Sequence, residues 1–367
     1  LIQSTASNDA PRLDYSTGAK AFLLEQQSTN LVTYSEDLSN FSKTNITEVD
    51  GNQVTPNGTV GSIKITPTSS AITQLQISSL TVGASYSFSF FVKKAEASNL
   101  IINQAGSAGQ RVSYNIDNLT YIGIAGVDTN IVSYGNGWVR IEYSVNSLTY
   151  NNIRIVLSNG TNVYPYNPPI GDGLYLWGFQ LEQNSFSTSY IPTSGASATR
   201  NQESCNNATP VINSEEGTLY FEASALVDEN DRRISLSDGS LNNYVSIGYS
   251  RFTGNIIGEI FSNGVSQNLN WGATGITQIN NNKFALSWGN GTMKFYVNGI
   301  QTLTTTITSP IGMNVLNFAA GNNALTMYAN TKDLKVYPKA LADVQLQDLT
   351  SWGSFTEMAN ALNYTIK

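Results

Sequence analysis

Short apolar runs alternate with polar positions along most of the chain. In SYSFSFFVKK, Tyr86, Phe88, Phe90 and Val92 fall on one side and Ser85, Ser87 and Ser89 on the other. That period of two predicts a strand with one buried face. The stretch from Asn152 to Ser158 alternates likewise. Between Asp172 and Glu182, strict alternation sets Leu174, Leu176, Gly178 and Gln180 against Tyr175, Trp177, Phe179 and Leu181. Both sides are largely apolar, which predicts a strand covered on both faces. Asn57-Gly58, Gly135-Asn136-Gly137, Asn159-Gly160 and Pro168-Pro169 punctuate these runs as turns.

Residues 187–214 break the pattern. They are polar, carry Pro192 and Pro210, and read as a linker pinned by Tyr190 and Ile191. The alternation then restarts. Leu219, Phe221, Ala223 and Ala225 share one face against Tyr220, Glu222 and Ser224, and Val245, Ile247 and Tyr249 oppose Tyr244, Ser246 and Gly248. Asn290-Gly291 and Asn298-Gly299 predict two tight hairpins, because Asn-Gly accepts positive φ at both central positions. Helical spacing is confined to Leu341, Val344, Leu346, Leu349 and Trp352, with a second short turn expected at SFTEMANAL. The pattern predicts an all-β chain with one short C-terminal helix: two β-sandwich (jelly-roll) domains in tandem, spanning 1–200 and 201–367.

Composition narrows the chemistry. Charged residues make up 12% of the 367, about half the usual share. The polar surface is therefore built from Asn, Ser, Thr, Gln and Gly, side chains that match sugar hydroxyls. A net charge of -7 without a basic patch predicts no nucleic-acid partner, and no apolar run is long enough to predict membrane insertion. Leu1–Ala10 lack the marks of a signal peptide, which predicts a fragment or processed chain. The single cysteine, Cys205, excludes a disulfide framework within one chain. The absence of histidine removes Ser-His-Asp and Cys-His machinery, most zinc sites and the usual general base.

Three stretches carry a resemblance: APRLDYSTGAKAFLLEQQSTNLVTYSEDLSN, GNGWVRIEYSV and GDGLYLWGFQLEQNSFSTSYIPTSGASATR. In this order they resemble a module of bacteriophage and prophage tail-fibre and spike proteins, over roughly residues 10–200, with a body similar to jelly-roll carbohydrate-binding modules. MKFYVNGIQ and KDLKVYPKALADVQLQDLTS resemble laminin-G-like or concanavalin-A-like jelly rolls, although Ala342 stands where a capping Ser or Thr is usual. The resemblance implies a receptor-binding role at the virion surface or outside the cell. It supplies no catalytic residue.

Sandwich-fold glycanases place carboxylates as E-x-D-x-x-E on one strand; here Glu48-Val49-Asp50 has no third acid. The acids of Asp228–Arg233 sit in an expected loop, where Arg232 and Arg233 are expected to pair with them. No catalytic residue is assigned. Sugar recognition needs an aromatic face with flanking amides or charges. Trp138, Trp177 and Trp288 fall in core positions. Trp271, with Asn268 and Asn270, lies in an expected Gly-rich loop; Tyr244 with Asn242 lies on a polar strand face; Tyr164 and Tyr166 lie in an aromatic-proline loop. These seven residues are the binding candidates. A structural Ca²⁺ is the one cofactor considered, with Asp172 and Asp228 as candidate ligands. The expectation is a non-catalytic virion surface protein binding host cell-surface polysaccharide, alongside other virion proteins and as a homotrimer. The alternatives are a virion spacer that binds no glycan and the binding module of a secreted polysaccharide-degrading enzyme.

Overall fold

The computed structural model describes residues 12–14, 20–105, 110–160, 168–204, 210–228, 231–250, 255–270 and 276–361, with only the backbone of 268–270. Along the chain the first strands are β1 (Leu13–Asp14), β2 (Ala21–Leu24), β3 (Ser28–Asn30), β4 (Ser42–Thr44), β5 (Ile46–Asp50), β6 (Ile63–Pro67), β7 (Gln74–Ser78) and β8 (Tyr86–Lys94). Next come β9 (Asn99–Asn103), β10 (Val112–Asn115), β11 (Thr120–Ile122), β12 (Asp128–Gly135), β13 (Trp138–Val145), β14 (Asn152–Leu157), β15 (Leu174–Glu182) and β16 (Ala198–Arg200). The last are β17 (Gly217–Ala225), β18 (Arg232–Ser237), β19 (Tyr244–Tyr249), β20 (Ile256–Ser262), β21 (Val265–Asn270), β22 (Asn282–Gly289), β23 (Thr292–Val297), β24 (Ile300–Thr306), β25 (Val315–Asn317) and β26 (Ala329–Tyr337), followed by helices α1 (Asp343–Thr350) and α2 (Phe355–Ala361). The protein is all-β, as the alternation predicts.

The chain divides into two compact units. The first holds Ser28–Arg200; the second holds Asn201–Lys367 together with Asn8–Gln27. In the first unit, a sheet in the order β11-β10-β9-β14-β7-β4 faces another in the order β12-β13-β8-β15-β6-β5. Neighbours distant in sequence, such as β8 beside β15, require the chain to cross between sheets, as in a jelly roll. Phe88, Phe90, Val92, Leu100, Ile102, Ile141, Tyr143, Ile155 and Leu176 fill the space between them. The pleat of β8 is as read: Phe88 and Phe90 point inward, and Ser87 and Ser89 point to the other face.

β15 departs from strict alternation. Its register against β8 shifts between Trp177 and Gln180, a β-bulge. Gly178 supplies it with φ +68°. The extra residue reverses the phase. Leu174, Leu176, Phe179 and Leu181 all enter the central core, while Tyr175 and Trp177 join Phe91, Trp138, Tyr134 and Tyr190 on the outer face. Gln180 and Glu182 also face outward, fully buried.

In the second unit, a seven-stranded sheet, β1-β2-β26-β17-β22-β23-β24, packs on a five-stranded one, β21-β20-β19-β18-β25. Leu219, Phe221, Val245, Ile247, Tyr249, Phe284, Leu286, Trp288 and Phe295 form its core. Asn290 and Gly291 (φ 50° and 71°) and Asn298 and Gly299 (φ 48° and 83°) close the two expected hairpins. α1 lays Leu346 against Tyr220, Ala285 and Tyr296 on the outer face of the larger sheet. Ala342 offers no side-chain cap; its own N–H donates instead to Gln345 Oε1 at 3.0 Å.

β1 and β2, grouped by sequence with the first domain, are strands of the second unit's sheet, where β2 pairs with β26. Arg12 just before β1 is buried and donates to the carboxylates of Glu25 and Glu203. Arg232 and Arg233, expected in a loop, lie in β18 and are buried. The Arg232 guanidinium sits over the rings of Tyr249 and Tyr328, at 5.4 and 4.5 Å, and donates to Gln278 Oε1. Arg233 approaches Glu259 at 3.7 Å.

Candidate functional site

The sequence candidates are not brought together as one exposed site. Trp271, Tyr164 and Tyr166 lie outside the described residues, as does Cys205. Asn268 and Asn270 do not lie in a loop: they belong to strand β21, which pairs with β20 through a turn at Asn263-Gly264. Tyr244 does not stand on an exposed polar face. It is 6% exposed, and its ring stacks on Phe261 at 4.8 Å. Its hydroxyl engages Glu259, and burial raises both groups above their ordinary ranges. A ring covered this way presents no platform to a sugar. Asn242 is exposed, and its neighbour Asn243 is committed to the turn through Asp238, Asn263 and Ile311.

The three expected core tryptophans are buried. The Trp138 indole donates to the Val54 carbonyl at 2.8 Å and that of Trp288 to the Ser214 carbonyl at 3.2 Å. Asp172 lies half-buried before β15, and Asp228 half-buried after β17 with an oxygen that has no hydrogen-bond partner among the described residues. Among the described residues no three acidic, His or Cys side chains converge on a common point. Glu48 and Asp50 lie exposed on β5, where Glu48 pairs with Lys43 at 2.7 Å.

A different site emerges in the first unit, where two of the quoted stretches meet. TNLVTYSED runs antiparallel beside SYIPTS, with Tyr34 bridged to Ser194. A depression of about 280 Å³ opens there, lined by Tyr34, Glu36, Asp37, Pro192, Thr193 and Ser194. Tyr34 is 41% exposed, and Glu36, Asp37 and Ser194 are exposed beside it.

The floor is fixed from below by polar groups. The Tyr34 N–H donates to Asn40 Oδ1 at 2.9 Å, and Asn40 Nδ2 to Thr33 Oγ1 at 3.0 Å. The Thr193 N–H donates to Ser35 Oγ at 2.8 Å, and the Thr193 hydroxyl to the Val32 carbonyl at 2.7 Å. Ser35 Oγ lies 2.7 Å from the Tyr190 hydroxyl. Burial pushes the Tyr190 phenol well above its ordinary range, so it stays protonated and donates to Glu36 Oε1 at 3.3 Å. Asp37 Oδ1 accepts from the Ser39 N–H at 2.7 Å.

Behind this site, residues 183–200 lie across the outer face of β8, β13 and β15. Tyr190 packs on Trp177 at 4.8 Å and on Phe91 at 6.1 Å. Glu182 accepts from Ser28, from both the N–H and the hydroxyl of Thr188, and from Gln180 Nε2. The segment read as a linker is thus a strap whose apolar and polar contacts position Pro192, Thr193 and Ser194. Sequence reasoning quoted both stretches but did not single out Tyr34. The available signal was an aromatic followed within three residues by two acids, in a stretch too irregular to be a buried strand.

The arrangement offers an aromatic surface, two carboxylates and hydroxyls around a shallow concavity. That combination suits a polyhydroxylated ring, which presents apolar C–H faces and polar edges.

No protein-family model matches the chain, and no curated protein matches it. Similar solved structures include the CBM40 of Ruminococcus gnavus IT-sialidase, at 17% identity over 38% of this chain and 84% of that one, with a TM-score of 0.31. Sheep galectin-11 in complex with glycerol matches at 10% identity over 34% of this chain and 92% of that one, with a TM-score of 0.27. The native heptameric SAP-like pentraxin of Limulus polyphemus matches at 15% identity over 39% and 72%, with a TM-score of 0.31. At these TM-scores the likenesses carry no functional assignment; the fold described above rests on strand order and core packing.

Proposed function

We propose that the chain is a non-catalytic glycan-binding protein acting outside the cell, as an attachment protein of a bacteriophage or prophage. The observation that carries the reading is the Tyr34 depression, formed where two stretches resembling tail-fibre modules come together. An exposed aromatic whose backbone is held by hydrogen bonds offers a sugar ring a face on a fixed support, which limits the entropic cost of association. The low share of charged residues and the Asn-, Ser- and Thr-rich surface fit a ligand recognised by hydroxyl contacts. The lack of histidine supports adhesion over turnover.

The test is binding of the purified chain to a panel of bacterial surface polysaccharides and defined oligosaccharides. We expect binding that Tyr34→Ala weakens about tenfold, since stacked aromatics contribute roughly 0.5–1.5 kcal/mol on top of the area they bury. The variant's melting temperature should stay within a degree or two of the parent's, because Tyr34 is a surface residue. Binding that ignores Tyr34→Ala would remove this site from the proposal. Depolymerisation of a bound polysaccharide would overturn the non-catalytic reading, and absence of binding to the whole panel would favour a virion spacer.

A further inference from the structure

We infer, on the reading that the Tyr34 depression binds saccharide, that its ligand class is an amino sugar with a free, protonated amine, and that acidic sugars are rejected. The concavity and the exposed ring call for a ring-shaped ligand independently of charge. The charge of the rim then selects among rings. Glu36 and Asp37 are adjacent and exposed, and both line the depression. The groups that touch them, the Tyr190 hydroxyl at 3.3 Å and the Ser39 N–H at 2.7 Å, are neutral donors. Neither carboxylate is in an ion pair among the described residues, whereas Lys43, Lys64 and Lys94 of the same unit are each paired with an acid elsewhere.

The other lining groups, Pro192, Thr193 and Ser194, bring no cation. An ammonium about 4 Å from one exposed carboxylate gains roughly fivefold in affinity in water, and two carboxylates make the expected preference about tenfold or more. A sugar carboxylate in the same place meets the repulsion of both.

The experiment measures dissociation constants of the full chain for three probes at low and high salt: a fully deacetylated glucosamine tetramer, its fully N-acetylated counterpart, and a galacturonic acid trimer. We expect the deacetylated tetramer to bind about tenfold or more tightly than the acetylated one, with a preference that shrinks as salt rises. The acid trimer should not bind measurably. Glu36→Gln with Asp37→Asn should bring the two tetramers to within about twofold of each other, and Tyr34→Ala should weaken both. Equal or tighter binding of the acid trimer would overturn the amine assignment while leaving the sugar-binding reading standing. A preference that survives the double carboxylate substitution would do the same. Amine binding that survives Tyr34→Ala would trace to the net negative charge of the chain and overturn the assignment. Failure of all three probes, together with the wider panel, would instead sink the sugar-binding reading itself.

Discussion

Gly178 shows how much one residue decides in this protein. With φ +68° it sits where an L side chain costs about 1–2 kcal/mol. A Cβ there would lie 2.8 Å from Cδ2 of Phe91 and 3.2 Å from its Cε2. Phe91 is fully buried and T-shaped against Tyr190 and Tyr134, so it has little room to yield. We expect Gly178→Ala to destabilise the first unit by about 2–4 kcal/mol, the sum of backbone strain and overpacking. Urea denaturation followed by tryptophan fluorescence measures it. Adding Phe91→Leu should recover the steric part and leave the strain. If Gly178→Ala alone costs less than about 0.5 kcal/mol, the bulge does not depend on glycine. The same residue marks a limit of sequence reading. Alternation identified β15 as covered on both faces but assigned Phe179 and Leu181 to the wrong one. A bulge inserts a residue without a sequence signature beyond a lone glycine.

Among the elements, β18, β19 and β20 of the second unit bring Arg233, Tyr244 and Glu259 to one buried face. Alternation correctly placed Tyr244 opposite Val245 and Ile247, but which face meets water depends on what packs there, and a single strand does not encode that. Burial raises the Glu259 carboxyl above its ordinary value, with Arg233 and Tyr244 opposing the shift. A carboxyl raised in the fold takes up a proton more readily folded than unfolded. Its contribution to stability is therefore fully present below the unfolded value and is lost as pH rises through the folded one. We expect the melting temperature of the parent, relative to Glu259→Gln, to rise as pH is lowered from 7 towards the ordinary carboxyl value of 4.5. Comparison with the glutamine variant cancels the titration of the other carboxylates, including Glu203, which burial also raises. A difference that stays flat across that range would show that Glu259 titrates alike in both states. The strap over β8, β13 and β15 teaches a related lesson: residues 187–200 look like linker because their contacts are single and irregular, with Tyr190, Thr188 and Arg200 each anchored at a different depth.

For the whole molecule, the all-β architecture, both Asn-Gly hairpins and the C-terminal helix follow from patterns that repeat over many residues. The membership of the N-terminal strands does not, because β1 and β2 are two and four residues long and β26, to which β2 pairs, lies some three hundred residues further on. Their energetic weight is nonetheless large. Leu24 is buried in the second unit's core, which stabilises by roughly 2 kcal/mol. Arg12 lies between the carboxylates of Glu25 and Glu203, with side-chain exposures of 2%, 5% and 19%. Removing the cation from such a group costs about 3–5 kcal/mol, since it leaves buried acids uncompensated. Together these losses approach the 5–15 kcal/mol that holds a typical domain folded. Deleting residues 1–27 would also turn β26 into an open edge, a template for pairing with other chains. We therefore expect the 28–367 protein to keep a protease-resistant core covering the first unit while the second becomes sensitive and prone to aggregate. Arg12→Ala in the full chain should show a milder form of the same change, and the fragment 28–200 should retain the parent's resistance. Limited proteolysis with mass mapping reads all three. A second unit that remains resistant in the 28–367 protein would mean that β26 and β17 hold the sheet without the N-terminal strands, and that Arg12 is an accessory of the fold.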